Sequence, residues 1–151
     1  MQKLRKWKHG DKMLDKCEEA LTDAWCGLKQ GADMNRDQQV TLDEWYEYWL
    51  GFANKSNNGQ DWPDDSKWVL DYKDFWFDIM DVSGDGVIDE QEFVEMMSHF
   101  GASTDEAKEA FNKIGIAQLD RDDFGKLWLG YMTSTDASNK ANFIFGRCRW
   151  S

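Results

Sequence analysis

Twelve consecutive residues, Asp81-Val82-Ser83-Gly84-Asp85-Gly86-Val87-Ile88-Asp89-Glu90-Gln91-Glu92, place oxygen-bearing side chains at positions 1, 3, 5, 9 and 12 of the stretch. That donor set suits a hard divalent cation such as calcium, which takes six to eight oxygens at roughly 2.3–2.6 Å. The chain must curl around such an ion and close with a two-oxygen carboxylate from the far side. Asp81, Ser83 and Asp85 begin the curl, and Gly86 permits the sharp turn. Val87 offers its backbone carbonyl, Asp89 binds directly or through water, and Glu92 closes the site. An earlier segment, Asp33-Met34-Asn35-Arg36-Asp37-Gln38-Gln39-Val40-Thr41-Leu42-Asp43-Glu44, repeats the pattern with Asp33, Asn35, Asp37, the Gln39 carbonyl, Thr41 and Glu44. It departs once, at Gln38, where the template has glycine; a side chain there must accept φ > 0 at a cost on the order of 1 kcal/mol. Asp33, Asp37 and Glu44 supply −3 to the first loop, and Asp81, Asp85, Asp89 and Glu92 supply −4 to the second. The second loop is therefore expected to bind more tightly.

A third segment, Asn112 to Asp123, keeps half of the pattern. Leu119 stands at position 8, Asp120 at 9 and Asp123 at 12, but Ile114 and Ile116 occupy positions 3 and 5. An aspartate at the closing position is also shorter in reach than glutamate, so this loop is expected to cover its neighbour and supply core rather than hold a cation. Ile88, at position 8 of the second loop, is predicted to pair with a partner loop through a short β-bridge.

These loops need helices on both sides, and the apolar periodicity provides them. Leu14, Cys17, Leu21, Ala24 or Trp25, and Leu28 recur at three- and four-residue steps, which predicts a helix from about residue 11 to the low thirties whose end is weakened by Gly27 and Gly31. A second pattern opens near Asp43, carries Trp45, Tyr48, Trp49 and Phe52 on one side, and dissolves into a polar linker, Asn54-Lys55-Ser56-Asn57-Asn58-Gly59. Pro63, followed by Asp64 and Asp65, predicts a third helix starting there with acids in its first turn, carrying Trp68, Tyr72, Phe75, Trp76 and Ile79. A fourth carries Phe93, Met96, Met97 and Phe100 and stops at Gly101. A fifth, capped by Ser103 or Thr104, turns Ala107, Ala110, Phe111 and Ile114 inward, and a sixth does so with Phe124, Leu127, Trp128 and Tyr131. The expected fold is all-α, built of EF-hand helix-loop-helix repeats with short β-bridges between paired loops. One compact domain over 1–151 holds a hand at 11–54 with calcium loop 33–44, a hand at 64–100 with calcium loop 81–92, a degenerate non-binding hand at 103–134 with loop 112–123, and a tail at 135–151.

Composition narrows the function. Eighteen Lys and Arg against 29 Asp and Glu leave a net charge of −11 over 151 residues, which repels phosphate backbones and anionic lipid and attracts cations, so nucleic acid is not an expected partner. Aromatic residues at 15% and apolar ones at 41% argue against disorder. The longest apolar runs, such as Phe143 to Phe145, fall far below the roughly 20 residues of a membrane-spanning helix. The basic stretch Met1 to Lys12 lacks the apolar core of a secretory signal, which points to the cytoplasm. Cys17, Cys26 and Cys148 are too few for a disulfide framework and read as reduced thiols. His9 and His99 have no evident catalytic partner and no phosphate-cradling loop is present, so an enzyme is not expected. The Trp and Met residues fall on apolar faces, as core or as the lining of a cavity or partner groove.

Trp25-Cys26-Gly27-Leu28 with Ala32-Asp33-Met34-Asn35, then Val40-Thr41-Leu42-Asp43-Glu44-Trp45 and Trp49, resembles the second hand of the invertebrate sarcoplasmic calcium-binding protein and calexcitin family. Phe77-Asp78-Ile79-Met80 leading into Asp81 resembles the family's third hand, and the degenerate hand with Asn142-Phe143-Ile144-Phe145-Gly146 resembles its last. The resemblance implies a compact body of hands in two pairs, from which the first hand is missing here: Met1 to Arg5 fall where its exit helix would be finishing. It also implies a calcium buffer or signal relay; the two loops supply its two sites, for which magnesium is expected to compete, with Asp89 helping to hold magnesium. Val40, at position 8 of the first loop, would then lack a partner in the chain, leaving an apolar face around Leu21, Trp25, Trp45 and Trp49 for a second copy or another protein. The alternatives are a calcium-responsive sensor that shows this face to a protein partner and, more remotely, a small-molecule binder like the calcium-regulated photoproteins, whose C-terminal proline is replaced here by the ending Cys148-Arg149-Trp150-Ser151.

Overall fold

The computed structural model describes residues 12–57 and 59–146, with side chains from Asp15 onward in the first helix. The readings of His9, the Leu14 side chain, Asn58, Cys148 and the two termini lie outside the described residues. Six helices and one two-stranded bridge follow in order: α1 (Lys12–Ala32), α2 (Leu42–Lys55), α3 (Lys67–Met80), β1 (Val87–Ile88), α4 (Glu90–His99), α5 (Thr104–Ile114), β2 (Leu119–Asp120) and α6 (Arg121–Thr133), then a 3₁₀ turn at Lys140–Phe143. The all-α reading with a short bridge holds.

Three helices begin with a reciprocal cap. The side chains of Thr41, Asp89 and Ser103 accept from the N–H groups of Glu44, Glu92 and Glu106, and those glutamates reach back to the capping residue's own N–H. α6 keeps half of this device, with Asp120 accepting from the Asp123 N–H at 2.8 Å. α3 differs from expectation. It starts at Lys67, not at Pro63, and has no acid in its first turn. Pro63 to Ser66 form a separate turn in which the buried Ser66 donates both its N–H and its hydroxyl to the Pro63 carbonyl, leaving no side-chain cap for the helix. Asp65 is consequently free to reach Lys55 at 2.7 Å.

The bridge pairs the hands at 64–100 and 103–134, the second and third of this chain; the hand at 11–54 is its first. β1 and β2 run antiparallel with Val87 opposite Asp120 and Ile88 opposite Leu119, and Ile88 and Leu119 are fully buried. Around them lie Phe77, Met80, Phe93, Met97, Ile114 and Phe124, with ring pairs Phe77–Phe124 at 5.5 Å and Phe93–Phe111 at 5.3 Å. Ile144, just past the 3₁₀ turn, is buried in the same core. Two residues expected inside are outside: Tyr131 and Phe100 are exposed, although each keeps an aromatic neighbour, Phe145 at 5.2 Å and Trp76 at 5.7 Å respectively. They sit at helix ends, where the surface curves away from the core.

The first hand is attached differently. α1 lies along α3, and Gly27 and Gly31 do not end it early, since the helix runs through both to Ala32. They permit close approach instead. A Cβ on Gly27 would stand 2.3 Å from Trp68 Cγ, and one on Gly31 would stand 2.5 Å from Tyr48 Cε2. Trp68 Nε1 in turn donates to the Tyr48 hydroxyl at 3.1 Å, which ties α3 to α2. Among the described side chains of α1 only Leu28 and Ala32 are buried, and in α2 only Phe52; Leu21 and Trp25, expected on the inward stripe, are exposed. Gly27→Ala is expected to cost about 1–3 kcal/mol in denaturant unfolding by pushing Trp68 aside. Burial raises the Tyr48 phenol above its ordinary pKa, with nearby Asp65 adding to the rise. A raised folded pKa means stability present at neutral pH and lost as pH climbs through it. Tyr48→Phe should leave the Trp68 N–H unpaired, cost about 1–2 kcal/mol, and remove this alkaline loss from a pH series of melts.

Candidate metal centre

In loop 81–92 the two ends of the chain are drawn together by carboxylates. Asp81, at the end of α3, accepts from the N–H groups of Gly84 at 2.8 Å and Asp85 at 3.2 Å through one oxygen, and from Gly86 at 3.0 Å through the other. Asp85 accepts from the Val87 N–H at 3.1 Å. Glu92, in the first turn of α4 and buried, spans the loop: one oxygen accepts from the Ser83 N–H at 2.8 Å and the other from the Asp89 N–H at 3.2 Å. Both Glu92 oxygens and the Asp81 oxygen that faces Gly86 accept one bond each and keep a further lone pair for a cation.

Loop 33–44 has the same frame. Asp33 accepts from the Asp37 N–H at 3.1 Å and the Gln38 N–H at 2.9 Å, Asn35 from Asp37 at 2.8 Å, and Asp37 from Gln39 at 2.9 Å. Glu44 crosses to the Asn35 N–H at 3.4 Å and returns to the Thr41 N–H at 3.0 Å and hydroxyl at 2.8 Å. Position 12 therefore bonds to the N–H groups of positions 3 and 9 in both loops. The Thr41 N–H, then its hydroxyl, then the Asn35 and Met34 N–H groups hold the Glu44 carboxyl below its ordinary pKa. A lowered folded pKa contributes stability at neutral pH that is lost as pH falls through it.

The two loops differ in what their backbone demands. Gly84 and Gly86 take φ of 74° and 87°; at the matching positions Arg36 and Gln38 take 60° and 69°. Gln38 has the positive φ expected of it. Arg36 is a second left-handed residue that the template comparison missed, although the non-glycine residue at position 4 was the available signal. Exposure differs too, since Glu44 is half-buried and Glu92 buried.

Segment 112–123 contains no such frame. α5 continues through Ile114, so the first three loop positions are helical, and Gly115 ends the helix at φ 75°. Ile114 and Leu119 are both buried. What remains of the hand is the bridge and the Asp120 cap.

Arg121 was not singled out from the sequence. Its guanidinium lies 4.5 Å from the Phe77 ring centre and pairs with Asp78 and, at 3.5 Å, with Asp74. Those carboxylates raise its pKa further. The clamp joins the helix entering loop 81–92 to the helix leaving loop 112–123. The i, i+4 spacing of Asp74 and Asp78 was legible, but a partner 43 to 47 residues downstream was not.

Among the described residues, no group of three His, Cys, Asp or Glu converges as a ready cage. An EF-hand ligand set takes part of its oxygen from Ser, Thr, Asn and a backbone carbonyl, so the donor chemistry of loops 81–92 and 33–44 suits calcium without such a cage. Asp81, Ser83, Asp85, the Val87 carbonyl, Asp89 and Glu92 would hold one ion; Asp33, Asn35, Asp37, the Gln39 carbonyl, Thr41 and Glu44 would hold another.

The EF hand domain model matches residues 74–100. Calexcitin-1 of Caenorhabditis elegans is 31% identical over 136 residues, covering 85% of this chain and 63% of that protein. Sarcoplasmic calcium-binding proteins I, III, and IV of Branchiostoma lanceolatum are 29% identical over 131 residues, with coverage of 85% and 69%. The solved structure of a sarcoplasmic calcium-binding protein from amphioxus superposes with a TM-score of 0.71 at 28% identity, over 89% of this chain and 72% of that one. The chain thus spans less than two thirds of the length of calexcitin-1.

Gln38→Gly is expected to raise the unfolding free energy by up to about 1 kcal/mol by relieving the left-handed strain. Gly86→Ala should lower it by a similar amount, both read from thermal melts.

Proposed function

We propose that this EF-hand calcium-binding chain, a homologue of calexcitin-1 and of the sarcoplasmic calcium-binding proteins, buffers or relays calcium in the cytoplasm through two sites, without catalysis. The observation that carries the reading is the shared frame of the two loops, in which a carboxylate at position 12 spans to the N–H of position 3 while a carboxylate at position 1 gathers the turn. Loop 81–92 is the tighter site. It has four ligand carboxylates against three, glycine at both left-handed positions, and a paired neighbour that stiffens it. Loop 33–44 has the weaker charge and the strained backbone. Magnesium competes at both, since each loop is rich in hard oxygen donors. The hand at 103–134 contributes packing to its neighbour and no ion.

A second reading is favoured by one observation. An apolar groove of about 550 Å³ opens between the first hand and the rest of the body, lined among others by Trp25, Trp45, Trp49, Trp68, Tyr72 and Trp128. A face of this kind suits a calcium-responsive module that engages a protein, whereas a plain buffer has no use for it.

Calorimetric titration of the 151-residue chain with calcium, with and without magnesium, tests the first reading. Two binding events are expected. Glu92→Gln should abolish the tighter and leave the weaker, and Glu44→Gln the reverse. One event in the parent chain that survives Glu44→Gln unchanged would remove loop 33–44 from the reading. A hydrophobic dye whose fluorescence rises with calcium favours the responsive module over the buffer.

A further inference from the structure

Arg121 follows directly on Asp120, whose backbone lies opposite Val87, position 7 of loop 81–92. Its side chain runs the other way, to α3. The guanidinium pairs with Asp78 and, at 3.5 Å, with Asp74, and lies 4.5 Å from the ring centre of the fully buried Phe77. Asp74 is held a second time at 2.7 Å by Lys73, whose side chain is 12% exposed. α3 ends within one turn of these contacts: the Asp81 N–H donates to the Phe77 carbonyl at 2.8 Å, and Asp81 opens the loop at position 1.

These contacts close a circuit. From Asp81 the chain runs through the loop to Val87, crosses the bridge to Asp120, continues into Arg121 and returns through the guanidinium to the helical turn from which Asp81 extends. The Asp81 carboxylate and the Val87 carbonyl lie on that one circuit. The bridge holds the Val87 side, and Arg121 holds the Asp81 side against it.

We propose that Arg121 is a positioning residue for the cation of loop 81–92: it fixes the separation of the position-1 and position-7 oxygens, so that the hand at 103–134 sets the affinity of its neighbour. The proposal rests on the reading of loop 81–92 as the tighter calcium site. Each ion pair is about half-exposed and by itself contributes little to stability. The effect is geometric. A planar guanidinium engages two carboxylates one turn apart and covers a ring at the same time, which a lysine ammonium cannot do. Charge alone would act with the opposite sign, since a fixed positive group near a cation site repels the ion and its removal would tighten binding.

The test is calorimetric calcium titration of the full chain carrying Glu44→Gln, so that loop 81–92 is read alone, with amide hydrogen exchange in chelator as a readout that needs no ion. Arg121→Gln is expected to weaken binding about tenfold. Arg121→Lys, which keeps the charge and loses the fork, should weaken it severalfold, and as the milder change it carries the comparison if Arg121→Gln does not fold. In chelator the Asp81 and Val82 amides should exchange faster in both variants, while those of α5 keep the parent rate. Affinity equal to or above the parent's in either variant overturns the proposal, as does exchange that quickens evenly along the chain. A titration event that Glu92→Gln does not remove, or no event before Arg121 is changed, overturns the reading of loop 81–92 itself.

Discussion

Ile88 and Leu119 face one another in a bridge only two residues long, and the organisation of residues 64–146 follows from that contact. A bridge so short cannot hold two loops by hydrogen bonds alone. It works because both side chains point into one core with Phe77, Phe93 and Phe124. The pairing sets the distance between α3 and α6, which Arg121 then locks through Asp74, Asp78 and the face of Phe77. It also gives segment 112–123 a packing role: Leu119 covers the position-8 residue of the neighbouring loop, and Asp120 starts the helix that supplies Phe124 and Trp128.

Helix initiation and loop closure draw on the same atoms. In loops 33–44 and 81–92 the residues at positions 9 and 12 make a reciprocal cap, so the carboxylate that closes the loop also begins the exiting helix. Any movement of the Glu44 or Glu92 carboxylate is therefore felt at once by α2 or α4. In loop 112–123 that coupling has decayed to the Asp120 cap alone, because Asp123 does not return a bond to the capping residue.

The first hand has the loop chemistry without the pairing. It is fastened through close glycine contacts, Gly27 on Trp68 and Gly31 on Tyr48, and through the Trp68 to Tyr48 hydrogen bond. These attach one side of α1 and α2; on the other side Leu21, Leu42, Tyr46 and Leu50 are exposed among the described residues. The strained φ values of Arg36 and Gln38 lie in the same hand, so its loop is both the less supported and the more costly in backbone conformation.

Much of this was legible from residue type and spacing. The turn frame of Asp81 to Glu92 could be read directly, because its carboxylates, glycines and cap lie within twelve consecutive residues. The helices were legible for the same reason, as was the inward place of Ile114 at the end of α5. Contacts between distant segments were not. The start of α3 moved from Pro63 to Lys67 because Ser66 turns onto the Pro63 carbonyl, and Gly27 proved to be a packing site because Trp68 comes to rest on it. Leu21 and Trp25 have the periodicity of a buried stripe, yet they are exposed, since periodicity states which residues share a face and only the arrangement of the other helices decides whether anything lies against it.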